Sequence, residues 1–285
     1  MKFGFFITQI RGTSLAKNVQ KAEELGFESA WIAEHIVLPV EFASRYPYSA
    51  NGRFLAPADV PLLDPMLALA YAAAVTSKIR LATGVYVLPL RNPFATAKAV
   101  ATLDTLSDGR FIFGIGIGWL AEEFEVVGMN FKDRAARTAE YLGLMTELWS
   151  KSDPSFEGRT VKEVRGVKFM PKTVQQPHPP FVFGGTSDAA LRRTARLGDG
   201  WYGIAHSLDE ARELIGRLRG YEREQKRETP TEITLSLRTG GPLTEDLVRR
   251  LAEMGVDRTL AGTPIGGEDS IAAMTRFHEQ VMSRL

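Results

Sequence analysis

Short runs of β-branched and aromatic residues alternate along this chain with longer stretches whose apolar positions recur three and four residues apart. Parallel strands joined by crossover helices require that alternation. Residues 3–8 predict a first strand. Leu15, Val19, Ala22 and Leu25 fall on one face of a helix that Ser14 caps and Gly26 ends. Residues 29–33 predict the second strand, 65–75 a helix, 79–88 the third strand, and Asn92 with Pro93 the start of a helix reaching Leu106. A glycine-rich run after Asp108 is the fourth strand, followed by a helix over 134–149. Strands over 181–184, 200–204, 233–237 and 258–261 then alternate with helices over 188–197, 208–219, 244–254 and 269–282. Eight strand–helix units without a composition break or linker predict an α/β fold, a (β/α)8 TIM barrel, as one domain over residues 1–285. Two insertions exceed ordinary connections: 38–64 after the second strand and 152–180 before the fifth. The first directly follows a strand end and is read as an active-site lid, with a structural cover or a dimer contact as the alternative. The second, with its charged, β-branched and proline residues, reads as an extended hairpin.

The fourth strand carries the strongest local signal. Asp108-Gly-Arg-Phe-Ile-Phe-Gly-Ile-Gly-Ile-Gly-Trp119 places Gly114, Gly116 and Gly118 two apart and ends on an aromatic. Glycine weakens a strand interior, so its repetition marks close approach by a ligand or by another part of the backbone. Barrel active sites form at the C-terminal strand ends. Those ends supply Thr8 and Gln9; Glu34 and His35; Thr83, Gly84 and Val85; Gly116, Gly118 and Trp119; Gly184, Gly185 and Thr186; Ala205 and His206. Paired carboxylates, a metal-ligand spacing and a Gly-x-Ser-x-Gly turn are all missing from this set, which disfavours hydrolysis. A set rich in glycine, hydroxyls and aromatics suits a cofactor that carries the chemistry itself. Gly184-Gly185-Thr186-Ser187, between a strand and a helix, offers N–H groups and hydroxyls to a phosphate.

Composition removes other classes. With 35 basic and 34 acidic residues interspersed over 285, the net charge is +1, leaving no electrostatic footprint for nucleic acid or an anionic membrane. There is no cysteine, so disulfides, thiolate metal sites and cysteine nucleophiles are excluded. The first residues lack a signal-peptide pattern and no apolar run approaches the roughly 18 residues of a membrane span, so a cytoplasmic location is expected.

Several strings together resemble one family. They are Ala82-Thr-Gly-Val-Tyr-Val-Leu-Pro89 with Arg91-Asn-Pro93, Leu103-Asp-Thr-Leu-Ser-Asp-Gly-Arg110, Gly114-Ile-Gly-Ile-Gly-Trp119 with Glu122-Glu-Phe124, and Phe183-Gly-Gly-Thr186 through Gly198-Asp-Gly-Trp201. In order and over nearly the whole chain they resemble the bacterial-luciferase-like superfamily, and most closely its deazaflavin-dependent oxidoreductases. The resemblance implies a barrel that uses coenzyme F420, with FMN as the alternative. It implies a ring system lying against a bulge at Thr83, Gly84 and Val85, where relatives have a non-proline cis peptide matching Gly84-Val85. Gly116, Gly118, Gly184, Gly185, Thr186, Ala205 and His206 complete the implied cofactor contacts. His35 matches a position near the cofactor or substrate in relatives and is the implied proton donor. Sugar-phosphate dehydrogenases of the superfamily carry an acid where this chain has Trp119, so a flat or apolar substrate is expected, with Glu122, or Glu123 beside it, as the nearby acid. The implied activity is hydride transfer between the deazaflavin C5 and a small organic substrate. An FMN-dependent monooxygenase and a non-catalytic flavin- or deazaflavin-binding protein are the alternatives. A homodimer paired through the apolar helix around residues 66–74 is also expected.

Overall fold

The structure is a computed structural model that describes residues 1–7, 13–54, 56–261 and 269–285. Thr8 and Gln9, read above as strand-end residues, lie outside the described residues. In chain order the elements are β1 (Lys2–Phe6), α1 (Thr13–Glu24), β2 (Ser29–Ile32), α2 (Pro65–Val75), β3 (Arg80–Thr83), β4 (Tyr86–Val87), α3 (Pro93–Leu106), β5 (Phe111–Gly116), α4 (Ala121–Val126) and α5 (Arg134–Ser150). They continue as β6 (Phe181–Gly184), α6 (Asp188–Leu197), β7 (Gly200–Ala205), α7 (Leu208–Glu224), β8 (Glu232–Leu237), α8 (Glu245–Glu253), β9 (Arg258–Ala261) and α9 (Ser270–Gln280).

All the paired strands are parallel, in the order β3-β2-β1-β9-β8-β7-β6-β5-β4, and a β3–β5 pairing closes the ring. The barrel is the expected one. The third strand is not the continuous run predicted over 79–88. Ala82 pairs with Ile112 and Tyr86 with Ile115, so one residue more stands on this strand than on its partner. That surplus is a bulge, and it divides the strand into β3 and β4 beside the mouth. Asp64 and Asn92 cap α2 and α3 by accepting from N–H groups of the first turns, as their positions ahead of Pro65 and Pro93 predict.

Alternation along the strands separates two cores. Phe3, Ile32, Leu81 and Phe113 face outward into the layer shared with the helices, whereas Trp31, Ala82, Ile112, Val182, Tyr202 and Leu260 fill the barrel. At the N-terminal end the interior is charged. Fully buried Arg258 donates to both oxygens of Glu28 at 2.7 Å, to Thr234 at 2.9 Å and to Glu232, which Lys2 also reaches at 2.6 Å. Ion pairing on all sides is what allows a guanidinium to lie there.

The 152–180 insertion is not the extended hairpin expected. Among the described residues it has one antiparallel bridge, Phe156 with Val164, and is otherwise irregular. Side chains tie it down instead. Asp104 accepts from the Gln175 N–H at 2.9 Å and its amide at 2.7 Å, and Glu140 accepts from the Thr160 N–H at 2.7 Å and hydroxyl at 2.6 Å. Among the described residues, no helix is long and apolar enough to cross a membrane.

Candidate active site

The bulge is the centre of the barrel mouth. Its Gly84-Val85 peptide is cis, and the Thr83 hydroxyl donates to the Gly114 carbonyl at 2.6 Å. The glycine run of β5 makes its close approach to this bulge. A Cβ on Gly114 would collide with the Thr83 carbonyl, one on Gly116 would meet Val85 Cγ2 at 2.5 Å, and one on Gly184 of the adjoining β6 would meet Val85 Cγ1 at 3.0 Å. Backbone makes the close approach at Gly114, and the Val85 side chain makes it at Gly116 and Gly184. Gly118 serves a different end, since its φ of +82° and the Phe124 ring 2.6 Å from a would-be Cβ both require glycine.

Glu34 braces the bulge from below. It is 4% exposed, accepts from the Val87 N–H at 2.6 Å, and pairs with Arg91, whose other nitrogen reaches Asp64 at 2.9 Å. Burial pushes its carboxyl up to about 7, against the pull of the Arg91 charge and the Val87 N–H. These contacts join the end of β2 to β4 and the cap of α2. Glu34 stood among the strand-end residues, but nothing local in the sequence pointed to its partners 53 and 57 positions away.

His35 points the other way, into the 38–64 insertion. Its Nδ1 lies 2.8 Å from Glu123 Oε2, while Glu123 Oε1 accepts from the N–H groups of Ile36 at 2.7 Å and Val37 at 3.3 Å. Glu123 is 1% exposed, so the carboxylate is spent entirely on orienting this segment. The imidazole meets Phe54 edge-on at 5.3 Å and Trp119 at 5.9 Å; Trp119 in turn contacts Phe42, Tyr46 and Phe54 at 5.8, 5.2 and 5.6 Å. An aromatic wall from the 38–64 insertion therefore covers one side of the mouth. Tyr48 extends it into the barrel against Val85 and the interior cluster, and burial, with Tyr46 and Tyr202 nearby, pushes its phenol up so that it stays neutral. Burial raises Tyr46 as well, against the Arg238 side chain that bonds it just past β8.

Glu122, read with Glu123 as the nearby acid, binds the 38–64 insertion. Its carboxylate accepts from the N–H groups of Ala43 at 2.7 Å and Ser44 at 3.1 Å, fastening the lid to α4. Burial opposes its ionisation, but hydrogen bonds from Ser44 and from these N–H groups outweigh it and hold the carboxyl below its ordinary value. The acid beside His35 is Glu123.

On the far side, Gly185 has φ +119° and its carbonyl accepts from Trp201 Nε1 at 2.7 Å, which fixes the turn after β6. Ser187 caps α6 by accepting from the Ala190 N–H at 3.3 Å. Thr186 and Ser187 precede the first turn of α6, where N–H groups have no intrahelical partner. Asp188 at that helix start is bonded to Arg217 at 2.7 Å and to Tyr221, so its charge is directed to α7. Ala205, read as a cofactor contact, ends β7 facing the helix layer with Ala211 and Leu214 rather than the barrel interior, while the His206 side chain is exposed on the rim and its N–H is held by Glu210 at 2.7 Å. The Val85 bulge and the turn ahead of α6, whose N–H groups suit a phosphate, are the parts of the mouth that could hold a flavin-type cofactor.

A family profile described as luciferase-like monooxygenase matches residues 1–280. The chain belongs to that family. An uncharacterised protein of Mycobacterium tuberculosis, Rv0953c, is 32% identical over 277 residues, covering 96% of this chain and 95% of that one. Among solved structures, the coenzyme F420-dependent tetrahydromethanopterin reductase of Methanopyrus kandleri superposes with TM-score 0.78 at 19% identity, covering 99% of each chain. The oxygenating constituent of 3,6-diketocamphane monooxygenase from Pseudomonas putida, a type II Baeyer–Villiger enzyme in complex with FMN, superposes at 0.65 with 20% identity, covering 83% of this chain and 66% of that one. At these identities the structures share the barrel. Luciferase-like proteins are oxidoreductases and monooxygenases, and that class is the one to which this chain is assigned.

Proposed function

We propose that this luciferase-like protein is an F420-dependent oxidoreductase that moves a hydride between the deazaflavin C5 and a small organic substrate: an activated alkene, imine, carbonyl or alcohol. The observation that carries the proposal is the buried His35–Glu123 pair facing an aromatic wall beside the Val85 bulge. The bound deazaflavin supplies the hydride chemistry. The chain's own residues bind, orient and exclude water. Val85 and the interior aromatics give the ring a support, and the turn of Gly184, Gly185 and Thr186 takes the phosphate. Tyr46, Phe54 and Trp119 form an apolar recess for a flat substrate, closed to bulk water by the lid. With Nδ1 engaged by Glu123, the His35 Nε2 is the ring atom left to hold or deliver the proton that accompanies the hydride. His206, exposed on the rim after β7, is the residue there that would meet the cofactor's edge.

An FMN-dependent monooxygenase using reduced flavin and oxygen is the second reading, favoured by the family description and by the FMN-bound relative. Parallel fluorescence titrations with F420 and FMN separate the two. Tighter binding of F420 by tenfold or more supports the proposal, and a tenfold preference for FMN reverses it. We also propose a homodimer paired through α2, an apolar helix on which Leu67, Tyr71 and Ala74 lie exposed.

A further inference from the structure

Between α5 and α6 lies a cleft of about 370 Å³ that the chemistry above does not use. Ala135, Ala136 and Ala139 form its wall on α5, where three small side chains leave the space open, and Arg192, Arg193 and Arg196 line it from α6. Arg192 is committed elsewhere, pairing with Glu224 at 2.7 Å and stacking on Tyr221 at 4.0 Å. Arg193 and Arg196 form no ion pair or hydrogen bond among the described residues. Burial lowers the Arg193 pKa, and the like charges of Arg134 and Arg196 lower it further, with no acid acting against them. Among the described residues Arg134 is itself uncompensated: it stacks on Phe131 at 3.6 Å and donates only to the carbonyls of Gly118 at 3.2 Å and Phe131 at 2.9 Å. Three positive charges thus gather around a concave surface without a counter-charge, which costs the free fold stability that a bound anion restores.

The cleft is also placed to continue the mouth. Arg134, which precedes Ala135 of the cleft wall, donates to Gly118 of the glycine run, and α6 starts directly after the turn of Gly185 and Ser187. We propose that the α5–α6 cleft binds the multiply anionic portion of a ligand, several carboxylates or phosphates spaced along a flexible chain. This rests in part on the proposed function, because F420 carries an oligoglutamyl chain beyond its phosphate whereas FMN ends at a single phosphate. A free oligoanion, such as a condensed phosphate, is the other source of the same chemistry.

The test compares the full-length wild type, the R193Q/R196Q variant, and an R212Q/R249Q control that removes equal charge from exposed positions on α7 and α8. Inorganic tripolyphosphate at low salt should raise the melting temperature of the wild type and the control but not of R193Q/R196Q. F420 should bind R193Q/R196Q about tenfold more weakly than wild type, while the chromophore fragment lacking phosphate and tail binds both equally. Loss of the tripolyphosphate effect with unchanged F420 affinity supports the cleft and assigns it to a free oligoanion. The same loss with no F420 binding to any of the three proteins also supports the cleft, while removing the proposed cofactor. Equal stabilisation of R193Q/R196Q and wild type by tripolyphosphate, or equal loss in the control, overturns the site.

Discussion

His35 and Glu34 are sequence neighbours with opposite assignments. His35 faces the lid and carries the proposed proton transfer, so His35→Ala should lower the rate of hydride transfer by about 10²-fold or more while F420 affinity stays within a few-fold. A merely structural His35 would give weaker binding or lower stability with turnover kept. Glu123→Gln keeps a carbonyl for the Ile36 and Val37 N–H groups but turns an amide N–H toward His35 Nδ1, so the rate of hydride transfer should fall while the fold is retained. Glu34 faces the barrel brace, and its carboxyl, raised by burial to about 7, is favoured in its neutral form by folding. Its contribution to stability is therefore full below the ordinary carboxylate range and is lost as pH rises through about 7. Glu34→Gln lacks this dependence, so urea unfolding from pH 4.5 to 7.5 should show wild type losing stability relative to the variant. Parallel profiles would mean that Arg91 keeps Glu34 ionised throughout.

At the level of elements, the bulge between β3 and β4 decides the shape of the mouth. Gly116→Ala puts a methyl 2.5 Å from Val85 Cγ2 and should destabilise the fold by about 1–3 kcal/mol, the usual cost of overpacking, while weakening cofactor binding. Val85→Ala in the same chain removes the collision and should restore much of the stability, as read by denaturant unfolding. If Gly116→Ala is neutral on both counts, the β5 glycines do not shape the site. The alternation of strands and helices was legible because each strand reads in a few residues and each helix over several turns. The bulge was not, since Thr83, Val85 and Tyr86 all favour extended backbone and only the family resemblance distinguished Gly84-Val85. The glycine run was legible as a place of close approach but not as to what approaches, because Thr83 comes from a neighbouring strand. The lid aromatics Phe42 and Phe54 follow no strand or helix period, and Glu123 lies 88 residues from the histidine it orients. Such contacts exist only after the barrel closes.

Across the whole molecule, the exposed Leu67 and Tyr71 of α2, with Leu63 and Phe94 nearby in the sequence of α2 and α3, predict association through that side. Light scattering at micromolar concentration should give twice the 31.5 kDa chain mass for the wild type and a smaller mass for Leu67→Glu. A wild-type monomer would remove the pairing. The account as a whole stands on hydride chemistry performed in a recess shaped by His35, Trp119 and Val85. Its most direct test is an oxygen-free single turnover, in which F420 reduced with deuterium at C5 is mixed with the protein and a panel of activated alkenes, imines and ketones. The account predicts oxidation of the deazaflavin without oxygen and deuterium on the carbon of the reduced product; oxidation that occurs only with reduced FMN and oxygen, leaving no deuterium on any substrate, would contradict it.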